Sequence, residues 1–143
     1  MDLFLVQHAE AVPKSEDKER PITPAGRDAA VHVARRLAAS GACAPGEIRH
    51  STKLRARQTA TEMAAVLGAT AREVDGLAPR DDVVPLARAL QDEGTDLMLV
   101  GHLPHMGRLA SLLVTGDVEA GVVAFRPAGV VCLTRGEGAT WSV

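Results

Sequence analysis

Asp2-Leu3-Phe4-Leu5-Val6-Gln7-His8 and Asp96-Leu97-Met98-Leu99-Val100-Gly101-His102 share one pattern: an aspartate, four apolar residues, a spacer and a histidine. A short continuous apolar run of this kind reads as a strand buried on both faces, as in a parallel sheet covered by helices. Each run delivers its histidine to the carboxyl end of its strand, where open α/β sheets collect ligands. If the two strands are neighbours, the two histidines meet. The flanking sequences do not match, so the echo is convergence on one task rather than a duplicated unit. A lone histidine at a strand end is more often solvated or capping; two placed by the same device point to a shared site.

The rest of the chain fills in the layers. Thr23 is suited to cap a helix with Pro24 at its first position, and Ala30, Val33, Ala34 and Leu37 form its apolar stripe before Gly41 stops it. Ile48–Ser51 is a candidate short strand. The next helix runs from about Lys53 to Leu67, with Ala60, Met63, Ala64 and Leu67 inward and Gly68 as its stop. Ala78–Pro85 reads as loop, Val83–Gln91 and His105–Val114 as helices. Val122–Phe125, Val130–Thr134 and Ala139–Val143 read as strands, the last two joined by a Gly136-Glu137-Gly138 turn. Strand–helix alternation followed by a hairpin implies an α/β sandwich whose sheet is partly antiparallel, with a C-terminal antiparallel hairpin. Residues 1–143 are expected to form one domain.

Composition narrows the partners. Aromatics are confined to Phe4, Phe125 and Trp141, so the core is built of Leu, Val, Ala and Met, and no stacking platform for single-stranded nucleic acid is available. The net charge of −2 comes with no basic stripe, which argues against nucleic acid. No apolar run approaches the roughly 18 residues of a membrane span, and no leader pattern opens the chain. Cys43 and Cys132 form no CxxC-like pair and read as small half-buried apolar residues of a reducing compartment. A cytoplasmic location is the expectation.

A third feature lies at Ser51-Thr52-Lys53-Leu54-Arg55-Ala56-Arg57-Gln58-Thr59, across a strand-to-helix junction. A helix N-terminus there offers free N–H groups and partial positive charge to a phosphate, and Arg55 in the first turn adds a bidentate fork. Taken alone, Arg55 reads equally well as a solvent-facing residue of an amphipathic helix.

Taken together, His8 after a strand, the S-x-x-x-R-x-x-Q-T block and the Gly101-His102-Leu103-Pro104 segment resemble the histidine phosphatase superfamily, of phosphoglycerate mutase-like fold. The short chain and Arg20-Pro21-Ile22-Thr23-Pro24-Ala25-Gly26 make it most similar to SixA-type phosphohistidine phosphatases, over residues 1 to about 115. The resemblance implies that His8 is a nucleophile forming a covalent phosphohistidine, and that Arg55 and His102 bind the phosphoryl oxygens. It also implies a three-layer α/β/α sandwich with a mixed, mainly parallel sheet, and no cofactor and no metal. The histidine pair at His102 and His105 does not by itself argue for one, since two ligands without a Cys, Asp or Glu cluster do not make a site.

Two departures from the family pattern stand out. The family reads Arg-His-Gly where this chain reads Gln7-His8-Ala9. Gln7 retains an amide donor for phosphate binding but loses a full charge; a neutral hydrogen bond in place of a charge-assisted one costs roughly 1–2 kcal/mol, about 5- to 30-fold. Arg57, Lys53, Arg20 and Arg80 are the candidate compensating cations. Arg49-His50-Ser51 imitates the missing motif but lacks the long apolar strand that would carry its histidine to a sheet edge. The second departure is the general acid, for which Asp81, Asp82 and Glu10 are candidates, each also readable as structural. A phosphohistidine substrate lessens that need, because a leaving imidazole is far less basic than an alkoxide.

The expected function is therefore a metal-independent phosphatase acting on phosphohistidine in a signalling or phosphotransfer protein. A small-molecule phosphomonoesterase acting on a phosphorylated metabolite is the alternative on the same scaffold. Gln7 also keeps open a non-catalytic phosphate-binding module.

Overall fold

The computed structural model describes residues 1–42 and 45–143; the expectation for Cys43 falls outside the described residues. In chain order the elements are β1 (Asp2–Gln7), α1 (Pro24–Ser40), β2 (Glu47–His50), α2 (Leu54–Leu67), β3 (Thr70–Glu73), α3 (Val84–Gln91), β4 (Leu97–Gly101), α4 (His105–Thr115), β5 (Val130–Arg135) and β6 (Trp141–Ser142). The six strands form one sheet in the order β3-β2-β4-β1-β5-β6. The first four strands are mutually parallel, β5 pairs antiparallel with β1, and β6 pairs antiparallel with β5. The expected mixed sheet and C-terminal hairpin are both present.

Strand alternation divides the core into two layers. Phe4, Val6, Met98 and Val100 face α1 and α2, where Ala30, Ala34, Ala56, Ala60 and Met63 meet them. Leu3, Leu5, Leu97 and Leu99 face α3 and α4, where Leu90, Met106 and Leu109 complete the opposite layer with Trp141. Burying such a side chain fully contributes about 1.5–3 kcal/mol, so both faces of β1 and β4 must be covered. That explains why their sequences carry unbroken apolar runs.

The helix boundaries follow the local chemistry. The Thr23 side chain accepts from Gly26 N at 2.9 Å, Pro24 occupies the first turn, and Gly41 ends α1 at φ 68°. Gly68 ends α2 in the same left-handed conformation. Cys132 is a free, half-buried thiol packed against the first core layer, as expected for it.

Two expectations need correction, and one strand is additional to those expected. Val122–Phe125 is not a strand: Val122, Val123 and Phe125 pack against the second core layer, but the backbone there turns to the Ser111 hydroxyl, which accepts from Gly121 N at 3.1 Å. Apolar spacing alone could not distinguish that packed loop from a strand. β3 was unforeseen because it is an exposed edge strand with Ala71 as its single apolar residue. The terminal strand shrinks to Trp141–Ser142 because a 3-10 turn takes up Glu137–Ala139. His50 ends β2, the short strand expected at Ile48–Ser51, which lies between β3 and β4.

One close approach fixes the start of α1 against the loop after β1. A methyl group on Gly26 would stand 2.4 Å from the Glu10 carbonyl oxygen, and that same oxygen accepts from Thr23 N at 2.9 Å. Gly26→Ala must therefore push backbone from backbone, and an overpacked site of this kind loses about 1–3 kcal/mol. Urea unfolding of the variant should show that loss with an unchanged m-value.

Candidate active site

The β1–β4 pairing runs in register from Leu3↔Leu97 to Gln7↔Gly101. His8 N continues the ladder by donating to Gly101 O at 2.9 Å, so His8 and His102 leave adjacent strands at the same level. Their ring centroids are 5.0 Å apart at an interplanar angle of 55°. The two matched sequence runs are thus neighbouring strands, and their histidines meet at the carboxyl edge.

His8 Nδ1 lies 2.7 Å from the Ala9 carbonyl oxygen. A carbonyl only accepts, so Nδ1 carries the proton and Nε2 keeps its lone pair. Burial pushes the His8 pKa below the ordinary histidine value, and the Arg55 and Arg20 charges push the same way against the Ala9 hydrogen bond. Ala9 avoids positive φ, so the methyl group in place of the family glycine is accommodated. Its N–H donates to Thr59 Oγ1 at 2.9 Å.

His102 is 2% exposed. Its Nε2 pairs with Ser51 Oγ at 2.5 Å, and Nδ1 is buried without a partner. Burial, followed by the charges of His8, Arg55, Lys53 and His105, lowers its pKa from 6.5 to about 3. Both rings are consequently neutral at pH 7. Ser51 reaches His102 because β2 pairs with β4 through His50↔Val100 and Ser51 N then donates to Val100 O at 3.2 Å.

Arg55 occupies the first turn of α2, a helix with no side-chain N-cap, so its leading N–H groups stay free for an anion. Arg55 Nε is buried without a partner. The end of the S-x-x-x-R-x-x-Q-T block explains how the helix is aimed. Thr59 donates its hydroxyl to Arg55 O at 2.8 Å while holding Ala9 N, and Gln58 Oε1 accepts from Ile22 N at 2.8 Å. One turn of α2 thereby holds both the His8 loop and the loop carrying Arg20. Sequence reading gave no role to Ser51, Gln58 or Thr59, although all three belong to the block it singled out.

The candidate cations separate clearly. Arg20 sits at φ 50°, a conformation uncommon outside glycine, and its Nε donates to Val12 O at 3.1 Å. Its charge lowers the pKa of both His8 and Arg55, which places it beside them. Lys53 acts on His102. Arg57 and Arg80 are not among the charges that shift His8, Arg55 or His102. Gln7 ends β1 with its Oε1 buried and unpartnered.

The candidate acids lie elsewhere. Glu10 Oε1 accepts from the Thr23 hydroxyl at 2.8 Å at the start of α1. Asp81 Oδ2 accepts from Ala78 N at 2.9 Å and Asp82 Oδ1 from Val84 N at 3.0 Å, both in the turn leading to α3. No carboxylate is among the charges that shift His8 or His102. His105 begins α4 and is buried; His50 is buried with Nδ1 2.9 Å from Ser51 O; His32 is exposed on α1. Among the described residues, no three His, Cys, Asp or Glu side chains cluster in a way that could hold a metal ion. Among the same residues, no helix is long and apolar enough to cross a membrane.

A mixed sheet with two facing histidines at its switch point defines an α/β protein of phosphoglycerate mutase-like fold. Residues 3–81, more than half of the chain, match the family model of the histidine phosphatase superfamily (branch 1), and the chain belongs to that family. The protein histidine phosphatase SixA, solved in complex with tungstate, is similar at TM-score 0.86 and 26% identity, covering 99% of this chain and 93% of that one. A proposed SixA phosphohistidine phosphatase from Nakamurella multipartitia is similar at TM-score 0.73 and 25% identity, covering 92% and 83%. A mycobacterial glucosyl-3-phosphoglycerate phosphatase shares the fold at TM-score 0.74 and 15% identity, covering 99% and 95%. No curated protein matches the chain in sequence.

The histidine pKa values set a direction for pH dependence. Both are lower in the folded protein than the usual 6.5, so above pH 6.5 neither histidine makes stability depend on pH. As pH falls below 6.5 the unfolded chain binds protons that the folded site refuses, and stability declines. His102→Asn should flatten the loss of stability between pH 6.5 and 4.5, as read from urea midpoints.

Proposed function

We propose that the chain, residues 1–143 acting as one histidine phosphatase domain, is a metal-independent phosphatase working through a phosphohistidine at His8. The observation that carries the reading is the His8 tautomer: Nδ1 is held by the Ala9 carbonyl, leaving Nε2 as a neutral nucleophile 5.0 Å, ring to ring, from His102. Arg55, Arg20 and Lys53 surround that point with positive charge, suited to the equatorial oxygens of a loose phosphoryl-transfer transition state. His102 has Nδ1 as its uncommitted nitrogen. A bound dianion counters the neighbouring charges that depress its pKa, so the ring gains a proton and becomes a second donor. Gln7 contributes an amide where the family has an arginine, and Arg20 restores the missing charge. The relative solved with tungstate supports an oxyanion site, since tungstate is a tetrahedral oxyanion like phosphate.

In the first step His8 Nε2 bonds to phosphorus as the bond to the leaving group breaks. In the second, water attacks phospho-His8, inorganic phosphate departs and His8 is restored. We assign the substrate as phosphohistidine borne by a signalling or phosphotransfer protein. Supporting this, no carboxylate is among the charges acting on either histidine, and a leaving imidazole takes its proton from water readily. A small phosphorylated metabolite is the second reading, favoured by the fold shared over 95% of the glucosyl-3-phosphoglycerate phosphatase. For an alkoxide leaving group, Asp81, Asp82 or Glu10 would have to move in as the acid.

Rapid quenching with a labelled phosphodonor should trap acid-labile, base-stable label on His8, and His8→Ala should abolish both label and turnover. Unchanged turnover in His8→Ala would refute the phospho-His8 mechanism, and no turnover in the unaltered protein would refute the enzyme reading. Arg20→Ala should lower kcat/KM about 10- to 100-fold, the loss expected for a charge-assisted hydrogen bond. Substrate class is read from kcat/KM on phosphohistidine peptides against alkyl phosphates, which should favour the peptides.

A further inference from the structure

A cavity of about 690 Å³ opens beside the phosphoryl centre. Thr52 lines it, and the residues on either side of Thr52 belong to the centre: Ser51 bonds His102 Nε2, and Lys53 acts on His102 through its charge. Consecutive Cα atoms lie about 3.8 Å apart, so Thr52 brings the cavity to within one residue of the groups that bear on His102. The cavity has an apolar lining from Val74, Leu86 and Ala89, and three carboxylates: Asp75, Asp81 and Asp82. No basic residue lines it. None of the three carboxylates forms a salt bridge among the described residues. Asp81 and Asp82 each hold a turn N–H with one oxygen and keep the other free. Behind this lining lies His105, 1% exposed, with neither ring nitrogen in a well-formed hydrogen bond; the nearby groups acting on it include Asp81 and the Gly76 backbone, both part of the cavity wall.

An apolar trough with uncompensated carboxylates fits a long aliphatic stem ending in a cation, which buries its methylenes and keeps its charged head among polar groups. We infer that this cavity receives a lysine or arginine side chain of the phosphorylated substrate protein, within a few residues of its phosphohistidine. This rests on the phosphatase reading for its orientation. The phosphoryl group occupies the cationic centre while the neighbouring basic residue lies across Thr52 in the acidic trough. The two fields have opposite sign, so together they select a substrate with paired charges and fix which way round it binds. A compact ammonium on a small metabolite would leave the apolar lining unused.

The test uses phosphohistidine peptides in which one lysine is scanned over the four positions on either side, each paired with its norleucine counterpart. The same pairs are made with a non-hydrolysable triazolyl-phosphonate in place of phosphohistidine. At low ionic strength one lysine position should raise kcat/KM, and tighten phosphonate binding by calorimetry, about 5-fold over norleucine, as expected for several exposed ion pairs acting together. Physiological salt should reduce that ratio. Asp75→Asn should lower it to about 2-fold and Asp75→Lys should bring it below one, with the norleucine peptide unchanged in both. Equal binding of lysine and norleucine peptides at every position, or a ratio untouched by Asp75→Lys, overturns the inference. A preference confined to aminoalkyl phosphates overturns it in favour of a metabolite. If neither peptide is hydrolysed yet the binding ratio holds and responds to Asp75, the phosphatase reading fails while the cation site stands.

Discussion

The in-register parallel pairing of β1 with β4 is the constraint on which the rest of the site depends. Because Gln7 pairs with Gly101 and His8 N extends the ladder to Gly101 O, the two histidines emerge at one level on adjacent strands. A shift of one residue would turn every side chain of β1 to the other face, exchanging Phe4 and Val6 for Leu3 and Leu5 in layers whose helices are shaped differently. The α1–α2 layer is lined mostly by alanine and takes Phe4, whereas the α3–α4 layer brings Leu90, Met106 and Leu109 against leucines. Core shape therefore fixes the register, and the register fixes the distance between the rings. Asp2 and Asp96, which open the two matched runs, reinforce it from the far end through Asp2 N to Asp96 Oδ1 at 2.7 Å.

On that frame the electrostatics are one-sided. Arg55, Arg20 and Lys53 bear on two buried imidazoles, and no carboxylate is among the charges that shift them. Concentrating positive charge is unfavourable until an anion arrives, and it is tolerated here because both histidines give up their protons. Burial is the larger cause on both rings, and the surrounding positive charges add to it. Gln7 ends β1 without a charge, and Arg20 acts on His8 and Arg55 from a loop instead of a strand. A loop cation held at φ 50° and anchored through Gln58–Ile22 is easier to displace than one rooted in the sheet.

Much of this was legible in the sequence because the deciding features are local. An apolar run flanked by Asp and His specifies a buried strand and its terminal residue; Thr23-Pro24 and Gly41 specify where a helix starts and stops. Features that depend on tertiary partners were not legible. β3 has almost no apolar signal, because an edge strand needs only its backbone to pair. Val122–Phe125 has the apolar signal but not the strand, because the Ser111 hydroxyl meets its backbone first. In the site, residue identities were readable but tautomer and wiring were not. Which His8 nitrogen is free depends on Ala9 O, and the pairing of Ser51 with His102 depends on β2 lying next to β4.

The strand order also explains why a chain this short can separate two fields of opposite sign. β4 inserts between β1 and β2, so the loops leaving β1 and β2 turn to the α1–α2 side with Arg20 and Arg55, while the segment after β3 turns toward α3 with Asp75, Asp81 and Asp82. Thr52 stands where the two groups of loops meet. Among the described residues no salt bridge joins these aspartates to Arg55 or Arg20, and Asp81 and Asp82 stay bonded within turns. The turns hold them in place: Asp82 is committed to Val84 N at the start of α3 and Asp81 to Ala78 N in the turn before it, so swinging toward the arginines would abandon those bonds. For Asp81 and Asp82 the separation of charge across Thr52 is thus maintained by the turn before α3 and by the first N–H of that helix.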